Sequence, residues 1–173
     1  GLPNNHPDRF AVSIMLNILG VGMSSRLFVE VREKRGLAYM VRAGSSSYRD
    51  VGVSYIQAGL DPARLGEALQ VIKGEVMRMA TEPITKQELA DAKTSLAGRL
   101  ALSLEDSSAQ AEWFAKQAMF NTKIETPDDI LRAFNKVTVK QVRETAARLL
   151  RWDEMRLAAI GPFTKKHIMK LVP

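Results

Sequence analysis

The chain has 173 residues, of which 46% are hydrophobic and 25% are charged, and it contains no cysteine. These values predict one folded domain and exclude a disordered chain, a disulfide-stapled fold and thiolate metal sites. The formal net charge is +6, with the basic residues mixed among Asp and Glu, except for a C-terminal cluster of Lys165, Lys166, His167 and Lys170. A solvated basic surface is therefore a better interpretation than a nucleic-acid-binding patch.

The first predicted element is a helix over residues 8–19, whose apolar side chains fall on nearly every face. Such a pattern is typical of a helix that is buried on most sides. Gly20 and Gly22 are expected to end this helix. A serine at position 24 or 25 would then cap a second, short helix over residues 26–34.

The periodicity next changes from 3.6 residues to two, which predicts a β-hairpin. Tyr39, Val41 and Ala43 share one face of the first strand, and alternation resumes over residues 51–55. Residues 48–50 would form the turn.

Five helices are predicted after the hairpin from local start and stop signals. Asp61-Pro62 opens the first, and Glu82-Pro83 ends it. A capping box, in which two side chains satisfy the free N–H groups of the first turn, opens the second helix at Thr85-x-x-Glu88. The other three cover residues 107–120, begin at Thr126-Pro127, and begin at Thr138-x-x-Gln141 to end near Leu150.

A short apolar run over residues 155–161 is interpreted as a buried strand, and residues 165–171 as a terminal helical turn or two. This order of elements predicts an α+β fold of two layers, a mostly antiparallel sheet with helices packed on one face. No repeat or linker divides the sequence, so residues 1–173 are expected to form a single domain.

The sequence offers no metal or nucleotide motif. Its two histidines, His6 and His167, lie far apart, and neither has a second ligand at helical spacing, so neither is expected to bind a metal. Gly20-Val21-Gly22 lacks the third glycine of a dinucleotide fingerprint and the Gly-Lys-Ser/Thr of a P-loop, and a helix precedes it. A nucleotide site is not expected.

The strongest functional signal is Val-Arg-Glu-Lys-Arg-Gly-Leu-Ala-Tyr at residues 31–39. Its glycine is expected to break a helix between Arg32, at the helix end, and Tyr39, at the start of a strand, so that both side chains point to a common space. On the residues alone, the favoured interpretation is that Arg32 pairs with Glu30 or Glu33 while Tyr39 packs against the hairpin.

Four segments carry a family resemblance: residues 19–28 with the glycine-rich turn, residues 31–39, Glu-Leu-Ala-Asp-Ala-Lys at 88–93, and Leu-Ser-Leu-Glu-Asp at 102–106. Together they resemble the C-terminal, zinc-free domain of the pitrilysin, insulin-degrading enzyme and mitochondrial processing peptidase family of zinc metallopeptidases (inverzincins), closest to bacterial processing-peptidase-like members. No His-x-x-Glu-His zinc motif occurs, so the resemblance is to half of an enzyme.

The resemblance implies that Arg32 and Tyr39, seven residues apart as in the family, reach the zinc site of a partner domain. Hydrolysis of a peptide bond develops negative charge on the carbonyl oxygen, which a tyrosine hydroxyl can stabilise, while an arginine fork holds the substrate chain. Gly20 and Gly22 would line the substrate path. The simpler role of these glycines is to permit a tight turn between helices.

On this interpretation the chain is the substrate-binding half of a zinc metallopeptidase and is inactive on its own. Zinc would belong to an N-terminal domain or a partner subunit, this chain would hold no metal or other cofactor, and peptide or unfolded polypeptide would be the substrate. The family's opening strand would be missing or trimmed here. Nucleic acid and membrane are not expected partners. No targeting segment is visible, which leaves bacterial cytoplasm, periplasm and organelle matrix open.

Two alternatives stay open. A non-catalytic scaffold relative, of the core-subunit type found in respiratory complexes, would share the fold, although the presence of both Arg32 and Tyr39 argues against it. A basic nucleic-acid-binding module would need aromatic platforms, whereas aromatic residues make up only 6% of this chain.

Overall fold

The computed structural model describes residues 1–121 and 123–171, apart from the side chains of Lys165 and His167. Two antiparallel strands, β1 (Ala38–Ser47) and β2 (Gly52–Leu60), form a hairpin. The α-helices are α1 (Arg9–Gly20), α2 (Leu65–Thr81), α3 (Lys86–Ser103), α4 (Ser107–Phe120), α5 (Pro127–Lys136), α6 (Val139–Leu149) and α7 (Lys165–Ile168). A π-helix spans Phe28–Glu33, and 3-10 turns span Pro62–Arg64 and Trp152–Glu154.

The helix starts follow the predicted capping signals. The Thr85 side chain accepts a hydrogen bond from the Glu88 N–H, and the Glu88 carboxylate accepts one from the Thr85 N–H. The same reciprocal arrangement opens α5 at Thr126 and α6 at Thr138. These bonds satisfy N–H groups that the first turn of a helix leaves without partners, so the capping boxes predicted at Thr85 and Thr138 and the helix start predicted at Thr126 are confirmed.

The core forms around α1, which is buried on most sides as predicted. Ile14, Met15 and Leu19 have no exposed surface. The helix packs against β1 and also contacts α2, α3, α5 and α6. Helices therefore cover one face of the hairpin, and the predicted α+β fold with an antiparallel sheet and helices on one face is confirmed.

The predicted buried strand over residues 155–161 is wrong. In the part of the chain that the structure describes, the sheet contains two strands, and the apolar run has no ladder with either of them. Leu157 is exposed, and Ile160 is fully exposed. A strand needs a neighbour to satisfy its backbone N–H and C=O groups, and this segment pairs with neither strand of the hairpin.

The predicted serine cap of the second helix is also wrong. Neither Ser24 nor Ser25 accepts a hydrogen bond from an N–H of the following helix, which starts without a side-chain cap. Ser25 is buried, and its hydroxyl donates a 2.7 Å hydrogen bond to the Gly22 carbonyl. The glycine-rich turn is thereby tied to the start of the following helix. Elsewhere in the described chain, the terminal helix begins at Lys165 as predicted, and no described helix is long and apolar enough to span a bilayer.

Gly20 permits the close packing of α1 on β1, and its replacement should be costly. A Cβ at Gly20 would lie 2.4 Å from the Ala43 backbone nitrogen and 2.7 Å from its Cβ. Gly20→Ala should therefore lower the free energy of unfolding by about 1–3 kcal/mol, as overpacking does. The matched control is Gly74→Ala in α2, where a Cβ meets no atom within 4 Å. It should raise stability by about 0.5–1 kcal/mol. Urea unfolding of both variants checks the contrast, which equal effects would contradict.

Candidate functional site

The chain reverses direction between Arg32 and Tyr39, at the end of the π-helix. The Lys34 N–H donates to the Val29 carbonyl over 2.9 Å, one residue further back than in an α-helix. Gly36 has a φ of 57°, the left-handed conformation that ends many helices. The Leu37 N–H then returns to the Val31 carbonyl over 2.9 Å. The predicted glycine break is confirmed, and it delivers the chain directly into β1.

The Arg32 guanidinium lies over the ring of Phe28, with its central carbon 4.9 Å from the ring centroid. The carboxylate of Glu30 is occupied by Lys34 at 2.6 Å and Arg35 at 2.7 Å. Hydrogen bonds from these two cations lower the pKa of Glu30. The residues alone favoured a pairing of Arg32 with Glu30 or Glu33, and among the described residues the structure shows neither ion pair. The exposed guanidinium keeps its donors directed to solvent or to a ligand.

Tyr39 occupies a β-bulge. Ala38 pairs with Leu60 and Met40 pairs with Gly59, so Tyr39 is the extra residue of β1. The bulge breaks the strict alternation of the strand. Tyr39 is 75% exposed, whereas Val41 and Ala43, predicted to share its face, are buried. The prediction of a common face is wrong for this reason. Tyr39 does pack against the hairpin, as the residues alone favoured, but its ring lies on the exposed face and is not buried.

The ring of Tyr39 lies over Gly59 of the neighbouring strand. A Cβ at Gly59 would lie 2.2–2.5 Å from three atoms of the phenol, including its hydroxyl oxygen. Any side chain at position 59 would therefore displace the tyrosine. Gly59 is a positioning residue that the sequence analysis missed, as is Phe28 beneath Arg32. Their signals were the aromatic–glycine pairing across the hairpin and the four-residue spacing on one helix face.

The two glycines of the turn have different surroundings. Gly20 is buried against Ala43, so it can shape a substrate path only by holding α1 close to β1. Gly22 is exposed, has a φ of 91°, and would place a Cβ in open space. Only Gly22 has surface available to a substrate, and its left-handed backbone explains why glycine suits this position.

The segment Glu-Leu-Ala-Asp-Ala-Lys ties three parts of the fold together. Glu88 caps α3 and accepts hydrogen bonds from Arg26 Nε at 2.8 Å and Nη2 at 3.2 Å. Burial acts to raise the pKa of Glu88, but the bonds from Arg26 and Thr85 outweigh it and leave that pKa lowered. Lys93 Nζ donates to the carbonyls of Asn135 and Val137, at 2.9 and 2.8 Å. Through Glu88, the motif therefore fixes the segment just before the π-helix, which carries Arg32, to α3. Through Lys93, it fixes α3 to the junction between α5 and α6.

Glu75 is a buried carboxylate on α2 beside this anchor. Arg78 Nη2 lies 3.0 Å from its Oε2, without the alignment of a hydrogen bond. Burial raises the pKa of Glu75, and the charge of Arg78 offsets this only in part. The folded protein therefore holds this proton more tightly than the unfolded chain, in which the pKa lies near 4.5.

This raised pKa predicts a pH-dependent effect of Glu75→Gln. The Glu75 contribution to stability is greatest below about pH 4.5 and falls as the pH rises through the folded-state pKa, because the folded state binds the extra proton. Glutamine does not titrate, so the variant does not lose this stability. The thermal midpoint of the variant minus that of the original protein should therefore increase as the pH rises from about 4 to 8. Other carboxyls are common to both proteins and cancel. A difference that is constant with pH would contradict the prediction.

The described residues do not fit a zinc ion. His6 uses its Nδ1 to accept the Asp8 N–H at 3.0 Å. Within residues 1–121 and 123–171, no three His, Asp or Glu side chains cluster as metal ligands, and a catalytic zinc usually takes three protein ligands. The prediction for His167 lies outside the described side chains.

Comparison with known proteins gives this site a family context. The family described as "Peptidase M16 inactive domain" matches residues 1–96. The chain is also 34% identical over 171 residues to an uncharacterized zinc protease of Streptomyces coelicolor, covering 99% of this chain and 37% of that protein. The chain thus spans little more than a third of that relative.

Solved structures share the fold. The M16 inactive domain from Pseudomonas fluorescens has a TM-score of 0.76 and 30% identity, over 86% of this chain and 35% of that one. A chain of complex III2 from Candida albicans also has a TM-score of 0.76, over 88% of this chain and 38% of that one, but at 20% identity. That second likeness shows the fold alone.

Proposed function

Because the chain belongs to the family of M16 peptidase inactive domains, we propose that it binds and orients a peptide substrate for hydrolysis at a zinc centre in a partner domain or subunit. Arg32 and Tyr39 are the residues proposed to reach that centre. Relatives are named zinc proteases, and the described residues of this chain hold no zinc-ligand cluster. A division of labour, with the metal in one part and these two side chains in another, accounts for both facts.

The observation that carries the proposal is the bulge at Tyr39. In a regular strand, a tyrosine two residues before buried Val41 would share its buried face, yet this one is 75% exposed. Bulges commonly re-aim side chains next to active sites. Gly59 supports one side of the phenol ring and so limits its orientation. The rest of the side chain is exposed, and its hydroxyl can reach a ligand. We propose that this hydroxyl donates a hydrogen bond to the carbonyl oxygen as negative charge develops there.

Arg32 is suited to hold the peptide before the chemical step. Its guanidinium lies over the ring of Phe28. It forms no ion pair with Glu30, whose carboxylate binds Lys34 and Arg35. The planar fork can donate two hydrogen bonds to substrate carbonyl or carboxylate oxygens. Exposed Gly22, in the turn that precedes the Arg32 helix, is proposed to border the substrate path, while buried Gly20 maintains the packing beneath it.

Substitution of Arg32 tests the positioning role in the full-length protein. Arg32→Ala should raise KM and lower kcat/KM by about 10–100-fold, because a charge-assisted hydrogen bond contributes about 1.5–3 kcal/mol. Arg32→Lys should recover little of this loss, since a point charge does not reproduce the fork. Steady-state kinetics on one peptide, per mole of bound zinc, provides the readout.

The matched control for Arg32 is Arg99→Ala, which removes an exposed arginine from α3 and should leave KM unchanged. If Arg32→Ala matches the unsubstituted enzyme in both KM and kcat, the positioning role is wrong. A full-length protein that binds no zinc and cleaves no peptide, with chelator-sensitive hydrolysis as the assay, would favour the non-catalytic scaffold alternative instead.

A further inference from the structure

The face of the hairpin that points away from the helices carries two tyrosines, each lying over a glycine of the opposite strand. Tyr39 covers Gly59, as described above. Tyr55 covers Gly44, because a Cβ at Gly44 would lie 2.7 Å from the Tyr55 hydroxyl oxygen. Tyr55 remains 40% exposed. The two rings therefore lie on opposite strands and keep surface available to a ligand.

Arg42 and Gln57 lie between the two tyrosines. They are directly paired across the hairpin, and the next outward pair is Gly44 with Tyr55. Both Nε and Nη2 of Arg42 donate to Gln57 Oε1, at 3.0 and 2.6 Å. Arg42 is the one charged residue in the two strands, β1 and β2. Its exposed positive charge is held in place by a neutral amide, so it is oriented without being neutralised.

We infer that this tyrosine–arginine face (Tyr39, Arg42, Gln57 and Tyr55) binds an acidic side chain of the peptide substrate, two to four residues from the bond that is cut. The inference rests on the proposed function, which sets the Tyr39 hydroxyl at that bond. Arg42 follows Tyr39 by three residues, about 10 Å along an extended strand. An extended peptide advances at the same rate per residue, which gives the stated position.

The chemistry of the face favours a carboxylate. Arginine presents a fork that matches a carboxylate, and Gln57 holds that fork from one side, leaving Nη1 free to donate. The flanking rings of Tyr39 and Tyr55 offer apolar surface to the stem of a glutamate side chain. A lysine at the same substrate position would meet like charge with no acidic residue in either strand to relieve it.

The test uses the full-length enzyme and a peptide with one cleavable bond. Glu, Gln or Lys is placed in turn at each position two, three and four residues from that bond, on either side. The unsubstituted enzyme should cleave the best Glu peptide with a kcat/KM about fivefold above its Lys counterpart, the upper range for one exposed ion pair. Arg42→Gln should bring the ratio to about one, and Arg42→Glu should invert it.

The control for general charge effects is Arg49→Glu, which makes the same change in the exposed turn of the same hairpin and should preserve the ratio. Because the Glu and Lys peptides are compared within each variant, an effect of a substitution on folding or on overall turnover cancels in the ratio. A Glu-to-Lys ratio near one in the unsubstituted enzyme at all six positions, or an equal shift in Arg49→Glu, would overturn the inference. So would an unchanged ratio in both Arg42 variants.

Failure here is separable from failure of the proposed function. If Tyr39→Phe slows cleavage of the Gln peptide while the Arg42 variants leave the ratio unchanged, the proposed function stands and the acidic subsite does not. If the Arg42 variants move the ratio while Tyr39→Phe has no effect, the peptide binds on this face but the proposed role of Tyr39 is wrong.

Discussion

Under the proposed function, Tyr39→Phe in the full-length protein should lower kcat by about 10²–10³-fold, a loss of about 3–4 kcal/mol of transition-state stabilisation. The substitution removes one hydroxyl and keeps the ring that lies over Gly59. Because the side chain is 75% exposed and contributes little to the core, the fold and the zinc content should be unchanged. The effect should fall on kcat more than on KM, since the hydrogen bond forms as charge develops on the substrate oxygen.

The control for this experiment is Tyr48→Phe, which removes another exposed hydroxyl at the end of the same hairpin. Its kcat should match that of the unsubstituted enzyme. Gly59→Ala offers an independent check, because the added methyl group displaces the phenol without removing it. An unaltered kcat in Tyr39→Phe, at equal zinc content, would show that Tyr39 has no part in the chemistry.

The largest effect on stability is expected for Glu88→Gln, at about 2–3 kcal/mol. The side chain of Arg26 is only 10% exposed and depends on Glu88 for its charged partner. Arg26 Nη1 is already buried without a hydrogen bond, so no other contact of the guanidinium would replace the lost carboxylate. Removing one partner of a fully buried ion pair costs about 3–5 kcal/mol. The value here is smaller because Glu88 is 29% exposed.

Denaturant unfolding of Glu88→Gln beside Glu112→Gln tests this assignment. Glu112 pairs with Lys116 on α4, and both side chains are more than 60% exposed. Exposed pairs on one helix contribute about 0.3–0.5 kcal/mol, so this control should be nearly neutral. Similar losses in the two variants would mean that the Arg26–Glu88 contact contributes no more than a surface pair.

The helix boundaries could be predicted because their signals are local. Thr85 and Glu88 lie three residues apart, and a capping box needs nothing beyond that turn. The fold class followed from the order of these elements, and the structure and its relatives confirm it. The family resemblance is likewise confirmed by the match to the M16 inactive domain.

The errors occurred where distant parts of the chain decide the outcome. Residues 155–161 have a strand-like sequence, but pairing requires a neighbouring edge that sequence pattern does not reveal. The bulge at Tyr39 depends on how β1 and β2 align, and two-residue periodicity assumes that no such irregularity exists. Arg32 has no ion pair with Glu30 because Lys34 and Arg35 occupy that carboxylate. Sequence spacing alone does not show which of the three cations binds Glu30.

The bulge separates what maintains the fold from what is proposed to serve catalysis. Val41 and Ala43 fix the alignment of β1 from the buried side, while Tyr39 stands outside that alignment and contributes little to it. A lineage could therefore exchange this tyrosine in a single step and keep an intact domain. Such an exchange would remove the proposed hydrogen bond to the substrate while the stability of the domain stayed unchanged.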